Sequence, residues 1–271
     1  RGTKPQMPGV TLIQADRHAL GDALHGLSFD AIIDAVAYDA PEVESLLAAV
    51  EGRPAYVLIS SSAVYPETLP QPFREDMPIG ENAVWGAYGM GKVRAEASAL
   101  HLRPDSYILR PPYLYGPMQN LYREPFVFDC ARMGRPFYLP GDGDMPLQFF
   151  HIRDLCRLIA VLLEKQPAQR IYNVGQPDAV TIRDWVQLCY DAVGTPCRMI
   201  PVHGDHVQRA YFPFYPYAYQ LDVQRQQALL PELTPLADGL RESWAWYREH
   251  EDWVPKRGYL AYVEERLEKE M

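Results

Sequence analysis

The chain has 271 residues, 48% of them hydrophobic and 23% charged, which is the make-up of a globular protein with a sizeable core rather than a disordered or membrane-embedded one. Its formal net charge of -9 argues against nucleic acid as a partner, because displacing counterions from phosphates calls for a basic surface. No apolar run approaches the roughly 20 residues that span a bilayer, the N-terminus shows no secretory pattern, and Cys130, Cys156, Cys189 and Cys197 lack metal-site spacing. The expectation is a cytoplasmic protein with free, mostly buried thiols and no metal.

In chain order, residues 10–13, 31–36 and 56–59 are short apolar runs that read as buried parallel strands. Between them residues 41–50 carry Val43, Leu46, Leu47 and Val50 on one helical face. A helix around residues 88–100 precedes an apolar strand at 107–109, and another strand is expected at 171–174. Alternation of strand and helix predicts an α/β fold with a doubly wound parallel sheet. Past Gly175 the pattern changes to a helix over 182–193, an aromatic and proline-rich run over 211–219, and helices over 236–250 and 259–270. The domains expected are therefore residues 1–174, with 113–146 contributing to a substrate side, and a smaller lobe over 175–271. The run at 211–219 either lines a substrate wall or packs a loop against its own domain.

The chemistry-bearing signal is Tyr88-Gly89-Met90-Gly91-Lys92. Four residues along a helix put the phenol and the ammonium on one face, where the cation is expected to lower the tyrosine pKa toward a value useful for proton transfer. By itself the spacing is also that of a chance pair on a solvated helix. Upstream, the strand at 56–59 runs into Ser60-Ser61-Ser62-Ala63-Val64-Tyr65, placing hydroxyls at a strand's C-terminal end, where open α/β sheets hold their ligands. Serines there also serve as turn and cap residues.

Three ordered motifs carry a resemblance: Ser60 to Tyr65, Tyr88 to Lys92, and Leu109-Arg110-Pro111-Pro112-Tyr113-Leu114-Tyr115-Gly116-Pro117. The chain resembles the extended short-chain dehydrogenase/reductase superfamily, the NAD-dependent epimerase/dehydratase group. The resemblance implies a Rossmann-like domain, NAD or NADP as cofactor, a small-molecule substrate, and an oxidoreductase or epimerase acting on a hydroxyl/keto pair. It assigns Tyr88 as acid/base, Lys92 as the residue that holds the cofactor ribose and tunes Tyr88, and Ser61, with Ser62 as the alternative, as the residue that orients substrate. It also puts Asp16 at the adenine, Ala35, Val36, Ala37 and Ser60 along the cofactor, and Pro111, Pro112 and Tyr113 beside the nicotinamide. Each of these is also readable as a turn or packing residue. A homodimer through the helices at 41–50 and 88–100 is a further implication.

Three departures sharpen the expectation. No GxxGxxG turn occurs, so the first βαβ unit is expected to be missing in whole or in part, and Arg1 would then follow a second strand, placed to pair with a 2′-phosphate or simply exposed to solvent. Ser62-Ala63 stands where dehydratases of the group carry an acidic pair, which disfavours elimination. Leu147 stands where nucleotide-sugar enzymes place a diphosphate-gripping arginine. Residues 123–140, 210–214 and the C-terminal helix also resemble the chloroplast stem-loop binding proteins, which makes a non-enzymatic RNA binder, or a regulator that kept only the fold, the competing reading. Those relatives lack the YxxxK retained here. His151 and His203 are the histidines to check for substrate contact, each equally readable as a structural hydrogen-bonder.

Overall fold

The computed structural model describes residues 6–269. Its elements are β1 (Ala31–Asp34), α1 (Ala40–Ala49), β2 (Ala55–Ile59), α2 (Gly86–Leu102), β3 (Tyr107–Arg110), β4 (Tyr113–Tyr115), α3 (Glu124–Arg132), β5 (Phe137–Pro140), β6 (Pro146–Leu147), β7 (Phe149–His151), α4 (Ile152–Lys165), β8 (Ile171–Asn173), β9 (Val180–Thr181), α5 (Ile182–Val193), β10 (Met199–Val202), α6 (Gln208–Tyr211), α7 (Gln224–Leu229), α8 (Leu236–Tyr247) and α9 (Tyr259–Glu265). They fall into two compact units. The first holds the described residues through Leu69 together with Glu75–Arg110 and Val161–Tyr172, and the second holds Pro70–Arg74, Pro111–Ala160 and the described residues from Asn173 onward. The division thus differs from a single cut after residue 174: the chain passes between the units several times, and residues 111–160 belong with the second.

In the first unit the sheet order is β1-β2-β3-β8, with β1, β2 and β3 parallel and in register at Ile33↔Val57 and Leu58↔Ile108. The unbroken apolar runs of β2 and β3 suit strands covered on both faces, and Val57, Leu58, Ile108 and Leu109 are fully buried. Helix α1 starts on a capping box, Asp39 with Glu42, and Pro41 occupies the first turn, where a missing N–H costs nothing. It packs on α2 over a core of Val43, Tyr56, Leu58, Ala95, Ala99 and Ile108.

Residues 10–13 do not form the expected strand. Val10, Leu12 and Ile13 are 56%, 46% and 39% exposed in a segment without regular structure. A strand exists through its ladder partner, and among the described residues nothing pairs with this run. Arg1 lies outside the described residues.

The second unit is built on parallel pairs β4–β7 and β5–β10 and the antiparallel pair β6–β9. Helices α3, α5 and α8 pack together over an aromatic core centred on Trp185, which stacks on Phe149 at 5.8 Å and meets Phe214 edge-on at 5.1 Å. Tyr211, Phe212 and Phe214, the first half of the aromatic and proline-rich run, are buried in that core, so these rings pack their own domain. Helix α8 ends at Tyr247 and α9 at Glu265, a short 3-10 turn over Leu267–Lys269 following the latter. All four cysteines are free; Cys130 and Cys189 are buried, Cys197 is partly covered, and Cys156 is exposed rather than buried.

Candidate active site

Helix α2 carries Tyr88, Lys92 and Glu96 at successive four-residue steps, one face of two helical turns. Lys92 is 3% exposed, and its ammonium donates to the main-chain oxygens of Ala37 at 2.7 Å and Ile59 at 2.9 Å. Those carbonyls stand just past β1 and at the last residue of β2, so the lysine ties the C-terminal ends of two parallel strands to the helix. Burial pushes its pKa down to about 8, against the carboxylates of Asp34, Glu42 and Glu96 that favour the charged form. An ammonium has three donors; two are used here.

Ser61 opens a 3-10 turn, Ser62–Val64, and its hydroxyl accepts from the Ala63 N–H at 3.2 Å. The Ser61 hydroxyl favours ionisation of the Tyr88 phenol. Burial outweighs that influence, and the phenol lies above the ordinary value of 10.0 although 39% of the tyrosine remains open to solvent. The expected lowering by Lys92 is not found: the ammonium is turned to the strand-end carbonyls, and the ring of Tyr38 lies 5.1 Å from Nζ and 6.2 Å from the Tyr88 ring. Of the three serines, Ser61 opens the turn that packs against α2 beside Tyr88. Ser60 gives its hydroxyl to Glu96, and Ser62 is buried within the turn.

Several residues that complete this arrangement escaped the sequence reading. Glu96 forms a buried ion pair with Arg110, Nη2 to Oε2 at 2.6 Å, and Arg110 donates from Nη1 to the Tyr65 hydroxyl at 2.8 Å. Burial opposes the charge of Arg110, but Glu96 more than offsets it and pushes the guanidinium up. Asn82, also buried, donates to the Tyr65 carbonyl and accepts from the N–H groups of Val84 and Trp85, ordering the turn that leads into α2. Gly89 and Gly91 let the helix approach its neighbours: a Cβ on Gly89 would lie 2.6 Å from the Ala63 oxygen, and one on Gly91 2.3 Å from that of Tyr38. The repeat of the four-residue step from Lys92 to Glu96 and the glycines flanking Met90 were the available signals.

Among the residues expected along a dinucleotide, Ala35, Val36 and Ala37 form the loop after β1. The buried carboxylate of Asp34 shapes it, accepting from Val36 N at 3.3 Å, Ala37 N at 3.1 Å and the Tyr56 hydroxyl at 2.8 Å, and pairing with Arg17. Asp16 is exposed and caps a turn through the His18 N–H at 2.9 Å. Pro111, Pro112 and Tyr113 belong to the second unit, where the Tyr113 ring packs 4.5 Å from Phe214 and burial pushes its phenol up to about 12. Leu147 is buried there and brings no charge. His151 is buried edge-on against Tyr115, with burial holding its pKa down, whereas His203 is exposed and 3.7 Å from Asp142.

A model of the NAD dependent epimerase/dehydratase family matches residues 15–175, more than half of the chain. The chain belongs to that family. Its relatives include the chloroplast stem-loop binding protein of 41 kDa b of Arabidopsis thaliana, 27% identical over 230 residues that cover 82% of this chain and 60% of the relative. A dTDP-glucose 4,6-dehydratase of Streptomyces griseus is 27% identical over 210 residues, covering 74% of this chain and 61% of the enzyme. The chain therefore spans about three fifths of the length of these relatives. Among solved structures, the Bordetella bronchiseptica enzyme WbmH in complex with NAD+ superposes with a TM-score of 0.71 at 19% identity, covering 91% of this chain and 85% of that one. A Bacillus anthracis dTDP-glucose 4,6-dehydratase in complex with NAD gives 0.66 at 20%, covering 88% and 79%. At these identities the likeness establishes a Rossmann-type fold, the doubly wound parallel arrangement that the strand and helix alternation predicts. The stem-loop binding relative is chloroplastic, and among the described residues no helix is long and apolar enough to cross a membrane.

Proposed function

We propose that this member of the family is an NAD(P)-dependent oxidoreductase or epimerase acting on a hydroxyl/keto group of a small, sugar-like substrate, with Tyr88 as its proton-transferring residue. The observation that carries the reading is Tyr88 one helical turn from the buried Lys92 on α2, a helix pressed at Gly89 against the turn that Ser61 opens.

The donor set fits the nicotinamide-ribose half of a dinucleotide. Lys92 keeps one N–H beyond those given to Ala37 and Ile59, and hydroxyls are the natural partners of a ribose. For the diphosphate half, the sequence offers no GxxGxxG turn. A nicotinamide bound beside Tyr88 supplies hydride transfer. A phenol is protonated at neutral pH and burial shifts Tyr88 further the same way, so the residue is set up as a general acid that delivers its proton to a substrate carbonyl oxygen. Ser61, on the turn packed against the helix that bears that phenol, holds the same oxygen in line. The absence of an acid at Ser62-Ala63 favours hydroxyl/keto interconversion over elimination, and the buried Leu147 leaves a diphosphate without a cation at that position.

Titration of the chain with NADH and with NADPH, followed by nicotinamide fluorescence, tests the reading. Saturable binding of one of them is expected, weakened at least tenfold in K92M and retained in Y88F. With glucose and galactose, sugars that carry no diphosphate, as probes, any turnover should vanish in Y88F. Binding of neither dinucleotide, with salt-sensitive binding of an RNA stem-loop, would overturn it in favour of the RNA-binding alternative.

A further inference from the structure

The ion pair of Glu96 and Arg110 does more than link a helix to a sheet. Its carboxylate accepts from the Ser60 hydroxyl at 2.5 Å and from Arg110 Nε at 3.0 Å and Nη2 at 2.6 Å, while Arg110 Nη1 reaches the Tyr65 hydroxyl at 2.8 Å. Ser60 and Tyr65 are the two ends of the segment that contains Ser61. Glu96 itself rides on α2 two turns beyond Tyr88. One buried pair therefore grips both ends of the serine turn and the helix that bears the phenol.

A buried ion pair is a poor choice for stability alone, since apolar residues of similar volume often serve as well or better, and its best-attested use is to fix registry. The registry available to be fixed here is that of the serine turn on α2, which meet closely where Gly89, next to Tyr88, faces the Ala63 oxygen. We propose that Glu96 and Arg110 are the positioning residues that hold Ser61 in register with Tyr88, acting through Ser60 and Tyr65. The role in turnover rests on the function proposed above; the geometric role does not.

The test follows the ionisation of Tyr88 by NMR of protein labelled in its tyrosine rings, with the resonance assigned by comparison with Y88F. Losing the Ser61 hydroxyl in S61A is expected to move the Tyr88 midpoint upward. S60A and Y65F each delete a single hydroxyl and keep the ion pair, so both should fold. They are expected to move the midpoint in the same direction by at least half as much, and E96Q by at least as much as either. If S60A and Y65F lower the melting temperature while Tyr88 titrates as in the wild type, the pair is merely structural and the proposal fails. It fails equally if S61A leaves Tyr88 unmoved, because no contact is then being positioned. Absence of NADH and NADPH binding with the Tyr88 shifts intact would sink the functional reading and leave the positioning role standing.

Discussion

Lys92 Nζ lies 2.7 Å from the carbonyl oxygen of Ala37, so the lysine one turn from Tyr88 spends its charge on a strand end rather than on the phenol. Its depressed pKa has a measurable consequence. Between about pH 8, its folded value, and 10.5, its ordinary one, the unfolded chain binds the proton that the folded chain has released. Stability from this group therefore rises with pH across that window, by about 3 kcal/mol in all. Urea unfolding at pH 8 and at pH 10.5 should show the wild type gaining that much relative to K92M, with the contributions of tyrosines cancelling in the difference. Parallel pH dependences would mean the ammonium is not desolvated.

Gly91 tests how closely α2 is pressed against the loop after β1. Replacing a glycine in the interior of a helix with alanine ordinarily stabilises by about 1 kcal/mol. Here the new methyl would stand 2.3 Å from the Tyr38 oxygen, a main-chain atom that cannot swing aside. Overpacking of this kind costs on the order of 1–3 kcal/mol, enough to reverse the sign. G91A should unfold at lower urea than the wild type; a rise in the midpoint would show that the helix can retreat freely.

The parts of this molecule that could be read from sequence are those specified locally. Strand β2 announces itself as an unbroken apolar run, and α5 is bounded by residues that do the bounding: Thr181 accepts from the Asp184 N–H at 3.1 Å, and Gly194 takes φ 85° at the C-terminus. Residues 10–13 have the composition of a strand, but pairing is a property of the neighbour, and none is present among the described residues. The boundary between units fails for the same reason, since chain crossings leave no local mark. At the candidate site, Ser61, Tyr88 and Lys92 stand out in the sequence because their order along the chain is itself a pattern. Glu96 and Ser60 are 36 residues apart and Arg110 and Tyr65 45, and nothing in either neighbourhood encodes those meetings. Tuning was the least legible: the spacing of Tyr88 and Lys92 is right, and the direction inferred from it is reversed by burial.

The Glu96–Arg110 pair should behave as a coupled unit. Arg110→Met leaves a buried carboxylate with only Ser60 to answer it, a loss expected at about 3–5 kcal/mol. Adding Glu96→Leu removes the stranded charge, so the double variant should be more stable than R110M alone. Calorimetric melting of the two singles and the double reads this directly; additive losses would mean the charges are solvated.

Glu124, at the first turn of α3, presents the opposite titration to Lys92. It is buried, neither carboxylate oxygen bonds another residue among the described residues, and burial raises its pKa above 4.5, with Arg123 only partly opposing. The helix N-terminus favours an anion, yet desolvation of the charge dominates at full burial. As pH rises past 4.5 the unfolded chain releases this proton first while the folded chain retains it, so stability from this group is full below 4.5 and falls as pH rises toward the folded value. Glu124→Gln keeps the shape and cannot ionise. Compared by urea unfolding at pH 4.5 and pH 8, the variant should gain on the wild type at the higher pH. Equal losses in the two proteins would show that Glu124 is solvated and ionises in the fold as it does in the open chain.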